Sequence, residues 1–83
     1  MRARFPTMAG VDAMQLKTLL RRSTLSREDR QIAVCLLQWD MNYIDVGAKI
    51  NMDRRTVSRR MKDRILPELE WLNGRTETKS AGA

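Results

Sequence analysis

The sequence predicts an all-α fold: one small bundle of four to five helices that contains a helix-turn-helix. Two observations support this prediction. Apolar residues recur at helical spacing along most of the chain, as they do on the buried face of an amphipathic helix. Good N-cap residues, such as Ser26 and Asp53, precede two of these periodic segments. With 83 residues, the chain has room for one domain with a compact core.

The first helix is predicted over about residues 11–22. Asp12 lies in its first turn and Arg21 and Arg22 in its last, and both placements suit the helix dipole. The expected apolar stripe consists of Val11, Met14, Leu16, Leu19 and Leu20.

The second helix is predicted over about residues 27–40, after a short connector. Ser26 is its expected N-cap, and Glu28 and Asp29 lie in its first turn. Cys35 lies beside the apolar face and is expected to be a buried free thiol. The residues expected to form that face are Ile32, Ala33, Leu36, Leu37 and Trp39.

Residues 43–65 predict two helices, 43–50 and about 54–65, joined by a turn of three residues. Helices that cross closely need a small residue, and Gly47 supplies it. The turn needs a residue that tolerates positive φ, and Asn51 is the best choice after glycine. Met52 is expected to point into the core, and Asp53 to cap the next helix. The residues expected to face inward are Ile44, Val46, Gly47 and Ile50, followed by Val57, Met61 and Ile65.

Pro67 predicts that the fourth helix stops or kinks there, because the residue before a proline disfavours the α conformation. Pro67 can then begin a last short helix. Leu69, Trp71 and Leu72 are expected to pack back on the core, and Gly74 to end this helix.

The predicted domain covers residues 11–73. Residues 1–10 are expected to form a flexible basic arm and residues 74–83 a disordered tail, because both segments can bury little apolar surface. Trp39 and Trp71 are expected to be core anchors, with base stacking as the alternative, and the expected gap-fillers are Met8, Met14, Met41, Met52 and Met61.

The charge pattern points to an anionic partner. The chain has 16 Lys and Arg against 10 Asp and Glu, a net charge of +6 and a pI of about 10.5. Half of the residues from Asp53 to Arg64 are basic, and they lie on the predicted fourth helix. Arginine prevails among them, and its planar fork suits phosphate and guanine. Duplex DNA is the favoured partner, and an acidic membrane surface is the alternative.

Several functions are disfavoured by composition. The chain has no histidine, which removes most zinc sites and the commonest general base, so we expect no enzyme activity, no metal site and no cofactor. One cysteine cannot form an internal disulfide, which fits a reducing cytoplasm. The longest apolar run, residues 33–37, is far shorter than a membrane span or a signal-peptide core. We therefore expect a cytoplasmic, nucleoid-associated protein that does not enter a membrane.

Residues 25–65 resemble region 4 of bacterial sigma factors and the related LuxR-type helix-turn-helix. The stretch reads LSREDRQIAVCLLQWDMNYIDVGAKINMDRRTVSRRMKDRI. Its matching features are Leu25-Ser26, Gly47, Met52, Thr56-Val57 and Arg60-Met61, in register. Asn51 departs from the pattern, which usually has glycine in the turn. The chain is also too short for the promoter-melting region of a complete sigma factor, so the resemblance implies a small phage-type or bacterial transcriptional regulator.

The predicted DNA-binding residues lie on the fourth helix and on the helix before it. Arg54, Arg55 and Arg59 are placed to face base edges, with phosphate-only contact as the alternative. Arg60 and Arg64 border the buried stripe, where a salt bridge to Glu28, Asp40 or Asp45 competes with phosphate contact. The remaining predicted contacts are Ser58 and Lys62 with bases or phosphates, Thr56 with phosphate, and Lys49 and Tyr43 with the far DNA backbone, where a core position for Tyr43 is the alternative.

The expected function is sequence-specific duplex DNA binding in transcriptional regulation. One alternative is an adaptor that binds RNA polymerase or another protein through the same helices. Another is a charged helix that is merely solvated. Because one helix-turn-helix reads few base pairs, we also expect a homodimer, formed through Leu16, Leu19 and Leu20 and the apolar residues of 66–72. The competing expectation is that these residues complete the core of a monomer.

Overall fold

The computed structural model describes the backbone of residues 5–82 and the side chains of residues 5–74. Within this range every regular element is helical, which confirms the all-α prediction. Helix α1 spans Ala13–Arg22 and begins two residues later than predicted. The Asp12 carboxylate accepts a 2.8 Å hydrogen bond from the Gln15 amide, and the Gln15 side chain accepts one from the Asp12 amide. This reciprocal capping box explains why the helix starts after Asp12.

Helix α2 spans Arg27–Ala33 and continues as a wider π turn, Val34–Gln38. Ser26 caps α2 as predicted. Trp39 lies beyond the π turn and is 65% exposed, so its predicted role as a core anchor is wrong. A π turn contains more residues than an α turn, and it therefore rotates the following positions away from the buried face.

Helices α3 (Tyr43–Ile50) and α4 (Arg54–Arg60) flank the predicted three-residue turn. Asn51 has φ of 58°, and the Asp53 carboxylate accepts a hydrogen bond from the Arg55 amide at 3.0 Å. A Cβ at Gly47 would lie 2.3 Å from the Met52 carbonyl oxygen, so the turn passes too close for any larger residue. These three local predictions are confirmed.

Ile44 is exposed, which contradicts its predicted inward position. Val46 and Gly47 are buried and Ile50 is half-buried, so they define the inner face of α3. Ile44 lies two residues before Val46, which on a helix is nearly the opposite side.

Helix α4 does not stop before Pro67. It passes through a π turn, Met61–Ile65, into helix α5, Leu66–Gly82. The helix therefore does not stop at Pro67, whereas a kink there stays a prediction, and the predicted end at Gly74 is wrong. Ile65 and Leu69 are fully buried on either side of Pro67. This packing offsets the free energy lost because proline cannot donate a helical hydrogen bond. The side chains of 75–82 lie outside the described residues, and the disorder expected for 74–83 stays a prediction.

The core begins earlier in the chain than predicted. Phe5 and Met8 are buried around a 3₁₀ turn, Pro6–Met8, so residues 5–8 are not a flexible arm. Residues 1–4 of the predicted arm lie outside the described range. Phe5 and Met8 instead supply apolar surface that so small a domain needs.

Helices α1 and α5 complete the core. The buried residues include Leu16, Leu19, Leu20 and Leu69, and their burial within one chain agrees with the monomer-core alternative to the expected dimer. The Glu68 carboxylate accepts hydrogen bonds from the amide and hydroxyl of Thr24 and ties the α1–α2 connector to α5.

Trp71 and Met14 are exposed, and their predicted core positions are wrong. Burial raises the pKa of the Cys35 thiol, as expected for a buried and unreactive free thiol.

Candidate nucleic-acid interface

Helix α4 and the π turn after it have two chemically distinct sides. Val57, Met61 and Ile65 are fully buried and form the inner stripe, as the sequence predicted. The basic residues lie away from that stripe. This division orients the cationic surface outward on a helix that the core holds in place.

A shallow groove of about 520 Å³ lies along the outer side of α4 and reaches the start of α3. It brings together most of the sequence-predicted contact residues on one surface, hereafter the recognition surface. The groove is lined by Tyr43, Arg54, Arg55, Ser58, Arg59, Lys62 and Asp63.

The cations of the recognition surface are free to meet a ligand. Arg54, Arg55, Arg59 and Lys62 are all exposed. Among residues 5–74, none of these four side chains forms an ion pair. Four unneutralised charges on one face repel one another, and an anionic ligand would relieve that repulsion.

Arg54 and Arg55 are placed unfavourably for the stability of α4. They occupy its first turn, where the helix dipole favours anions and disfavours cations. Asp53 precedes them, but its carboxylate caps the helix through the Arg55 amide. Stability of the helix therefore does not account for two arginines at this end, whereas contact with an anion does.

The other predicted residues lie at the margin of this surface. Tyr43 is half-buried against the core and also lines the groove, and its contact with the DNA backbone stays a prediction. Thr56 is half-buried and does not line the groove. Lys49 is exposed in the last turn of α3, outside the groove. Its charge opposes the rise in the pKa of Cys35.

Asp63 is a groove residue that sequence reasoning missed. It lies four residues after Arg59, and residues at this spacing share a helix face. That spacing was a usable signal. A carboxylate at this end of the groove repels phosphate, and it therefore limits how far a nucleic-acid backbone could run along α4.

Arg60 and Arg64 do not join the recognition surface. Arg60 Nη1 lies 3.2 Å from Glu28 Oε1 and 3.4 Å from Asp29 Oδ1, and Arg64 Nη1 lies 3.9 Å from Asp29 Oδ2. The salt-bridge alternative and its partner Glu28 are thus confirmed. Asp29 was not predicted as a partner, because its position in the first turn of α2 indicated only a role at the helix end.

Neither a metal site nor a membrane-spanning helix is found in the part of the chain that the structure describes. No group of three or more Cys, Asp or Glu side chains there could hold a metal ion, and no helix is both long and apolar enough to cross a bilayer. Comparison with known protein families, with curated proteins and with solved structures finds no match to this chain.

Proposed function

We propose that this chain binds duplex DNA sequence-specifically and acts as a transcriptional regulator. The observation that best supports the proposal is the recognition surface: four exposed cations without acidic partners on one face of a helix whose other face is fully buried. An α-helix is about 10–12 Å wide with its side chains, and the major groove of B-DNA is about 12 Å wide. Helix α4 would fit that groove with the recognition surface against the bases.

The proposed division of work follows the positions of the residues on the two helices. Arg55 and Arg59 lie one turn apart on α4 and would read base edges, where arginine pairs with guanine O6 and N7. Arg54, the first residue of α4, and Lys62, in the π turn after it, also line the groove and would contact phosphates. Ser58 lies between Arg55 and Arg59 in the chain and can donate to a base or to a phosphate. The phosphate contacts fix register without reading sequence.

The first turn of α3 would approach the DNA backbone on one side of the groove. Tyr43 lines the recognition surface from this helix and could donate its phenolic hydrogen to a phosphate oxygen. Lys49, at the other end of α3, and Thr56 would add weaker backbone contacts. In this arrangement α3, the turn and α4 act as a helix-turn-helix, in which the second helix reads the major groove.

Selection of bound sequences from a random duplex library, followed by affinity measurements, tests the proposal. We expect an enriched site of a few base pairs that contains guanine, the base that arginine reads best. A matched library exposed to the Arg55→Ala Arg59→Ala variant should give no enrichment at those guanines. An unenriched library with the parent chain would contradict sequence-specific binding.

A protein-binding adaptor is the second candidate function, and one observation favours it. Met14 on α1 is 77% exposed and borders a groove of about 560 Å³ between α1 and the π turn of α2. This groove shares no residue with the recognition surface. RNA polymerase or another protein could occupy it. An adaptor predicts that Met14→Glu abolishes partner binding and leaves affinity for DNA unchanged.

A membrane-surface function is less well supported. A basic amphipathic helix that lies on a bilayer needs an exposed apolar face opposite its cations. In this chain the apolar stripe of α4 is fully buried in the core. Binding to anionic vesicles with the same affinity as to DNA would favour the membrane over the proposal.

A further inference from the structure

Asp29 is an unusual residue in this fold. It is the only charged side chain among residues 5–74 that is buried, with none of its surface exposed. Oδ1 accepts a hydrogen bond from Arg60 at 3.4 Å, and Oδ2 has Arg64 at 3.9 Å but accepts no hydrogen bond from the described residues. The carboxylate is therefore buried with its charge neutralised and its hydrogen-bonding capacity only partly used.

Stability gives only a modest reason for a carboxylate at this position, since the dipole of α2 favours an anion in its first turn and the exposed Glu28 already supplies one. Burial of an ion pair removes both charges from water, and replacement by packed apolar residues is often neutral or stabilising. Nor does the N-terminus of α2 need the side chain, since Ser26 already accepts the hydrogen bond from the Asp29 amide. The side chain instead connects α2 to α4 and to the π turn that follows it.

We propose that Asp29 is a positioning residue for the recognition surface, and this inference rests on the proposed function. The apolar stripe of Val57, Met61 and Ile65 holds α4 against the core, but contacts between apolar side chains are not directional. The hydrogen-bonded ion pair between Asp29 and Arg60 is directional. It would fix the rotation of α4 about its own axis.

Small rotations of α4 matter for recognition. At a radius of about 6 Å, a rotation of 20° displaces a side-chain tip by roughly 2 Å. A hydrogen bond of normal length does not survive such a displacement. Arg59 is the neighbour of Arg60 in the chain, so the rotation that Asp29 sets is passed directly to a residue of the recognition surface.

The same ion pairs separate the basic residues into two groups. Arg60 and Arg64 are held by carboxylates from α2, whereas Arg54, Arg55, Arg59 and Lys62 remain available to the DNA. Loss of the Asp29 charge would release Arg64 and leave Arg60 with only its exposed pair to Glu28, beside the recognition surface. Affinity for any DNA would then rise, while the preference for one site would fall.

Because total affinity and site preference should change in opposite directions, the test measures the preference as a ratio of two affinities. The Asp29→Asn variant is nearly isosteric and raises the net charge by one. If Asp29 had only a structural role, the ratio of affinities for the selected site and for a random duplex would not change once the variant is folded. Positioning predicts that the ratio falls by about tenfold, the loss of one bidentate base contact. Fluorescence anisotropy measures both affinities, under conditions in which circular dichroism shows a fully folded variant.

Glu28→Gln is the matched control. Glu28 is the neighbour of Asp29, pairs with the same Nη1 atom of Arg60, and its loss changes the net charge by the same amount. Its carboxylate is exposed, and exposed ion pairs contribute little, so the affinity ratio should stay within about twofold of the parent's. Arg60→Lys is a second variant. It keeps the net charge, but the shorter lysine side chain ends about one bond short of the Nη1 position that contacts both carboxylates, and we expect the same loss as with Asp29→Asn.

The outcomes separate this inference from the function on which it rests. A reduced ratio in Asp29→Asn or Arg60→Lys, with Glu28→Gln unchanged, supports the positioning role. If Asp29→Asn does not fold, Arg60→Lys decides the question alone. A folded variant with the parental ratio overturns the positioning role and leaves DNA binding in place. A parent chain that prefers no duplex overturns both.

Discussion

Arg59 and Arg60 are neighbours in the chain with different roles in the structure. Arg59 is exposed in the groove, whereas Arg60 pairs with two carboxylates of α2. The two side chains carry the same charge, and only their angular positions around the helix axis distinguish them. The number of arginines on a helix therefore overstates how many can contact a ligand.

Arg59→Ala should reduce affinity for the best site by about 1–3 kcal/mol and relax base preference there, because a base contact is lost. Lys49→Ala should weaken all sequences alike, since a phosphate contact has no sequence information. Arg21→Ala is the charge-matched control, because Arg21 is exposed on α1 and does not line the groove. Competition assays with single-base variants of the site measure these effects. Parental base preference in Arg59→Ala would place the recognition surface elsewhere.

Gly47→Ala should destabilise the domain by about 1–3 kcal/mol, the usual cost of overpacking. The new Cβ would lie 2.3 Å from a backbone oxygen of the turn, which cannot yield as a side chain would. Gly74→Ala is the matched control, because a Cβ there meets nothing within 4 Å. It should be neutral or stabilise α5 by up to about 1 kcal/mol. Urea titration measures both variants, and equal stabilities would contradict the close approach of the turn.

At the scale of elements, prediction succeeded where the cause is local. Ser26, Asn51 and Asp53 act on residues two to four positions away, so the sequence around them was enough to identify a cap or a turn. Prediction failed where packing overrides propensity. Pro67 lies inside a continuous helix, and Trp39 is displaced by a π turn. No sequence pattern marks those effects, because they depend on the elements packed alongside.

The candidate site divides in the same way. The residues of the recognition surface were predictable, because they share one face of one helix. The pairing of Arg60 and Arg64 with Asp29 was not, since it depends on how closely α2 and α4 approach. A buried carboxylate also resembles an ordinary first-turn residue until its surroundings are known.

Asn51→Ala should destabilise the turn between α3 and α4 by about 1–2 kcal/mol, because alanine tolerates the left-handed conformation poorly. Asn51→Gly is the matched control and should be neutral or slightly stabilising, since glycine adopts this conformation freely. Thermal denaturation compares the two. An alanine variant as stable as the glycine variant would mean that residue 51 does not hold a positive φ in solution.

At the scale of the whole molecule, the domain includes a segment that precedes helix α1. Phe5 and Met8 precede α1 and complete the core, so the smallest folding unit begins before residue 11. The chemistry of the surface is also divided: α3 and α4 present the basic groove, while α1 presents Met14 and a separate apolar groove. One chain could therefore engage DNA and a second macromolecule at the same time.

Met8→Ala should destabilise the chain by about 2–5 kcal/mol, because it leaves a cavity in the core. Total stability for a domain of this size is only about 4–12 kcal/mol, so the variant would be close to unfolding. Met14→Ala is the matched control, and its effect should stay within about 0.5 kcal/mol because Met14 is exposed. Denaturant unfolding of both variants provides the comparison. If Met8→Ala is as stable as Met14→Ala, the segment before α1 is not part of the core.

The salt dependence of duplex DNA binding tests the central claim most directly. Arg54 and Lys62 are unpaired among the described side chains and are assigned to phosphates, and Lys49 adds a third backbone contact, so about three phosphates should be neutralised. The account predicts a slope of log K against log salt of roughly −3 for each bound chain, and Lys62→Ala should reduce its magnitude by about one. A slope near zero, or an unchanged slope in Lys62→Ala, would contradict DNA binding through the recognition surface.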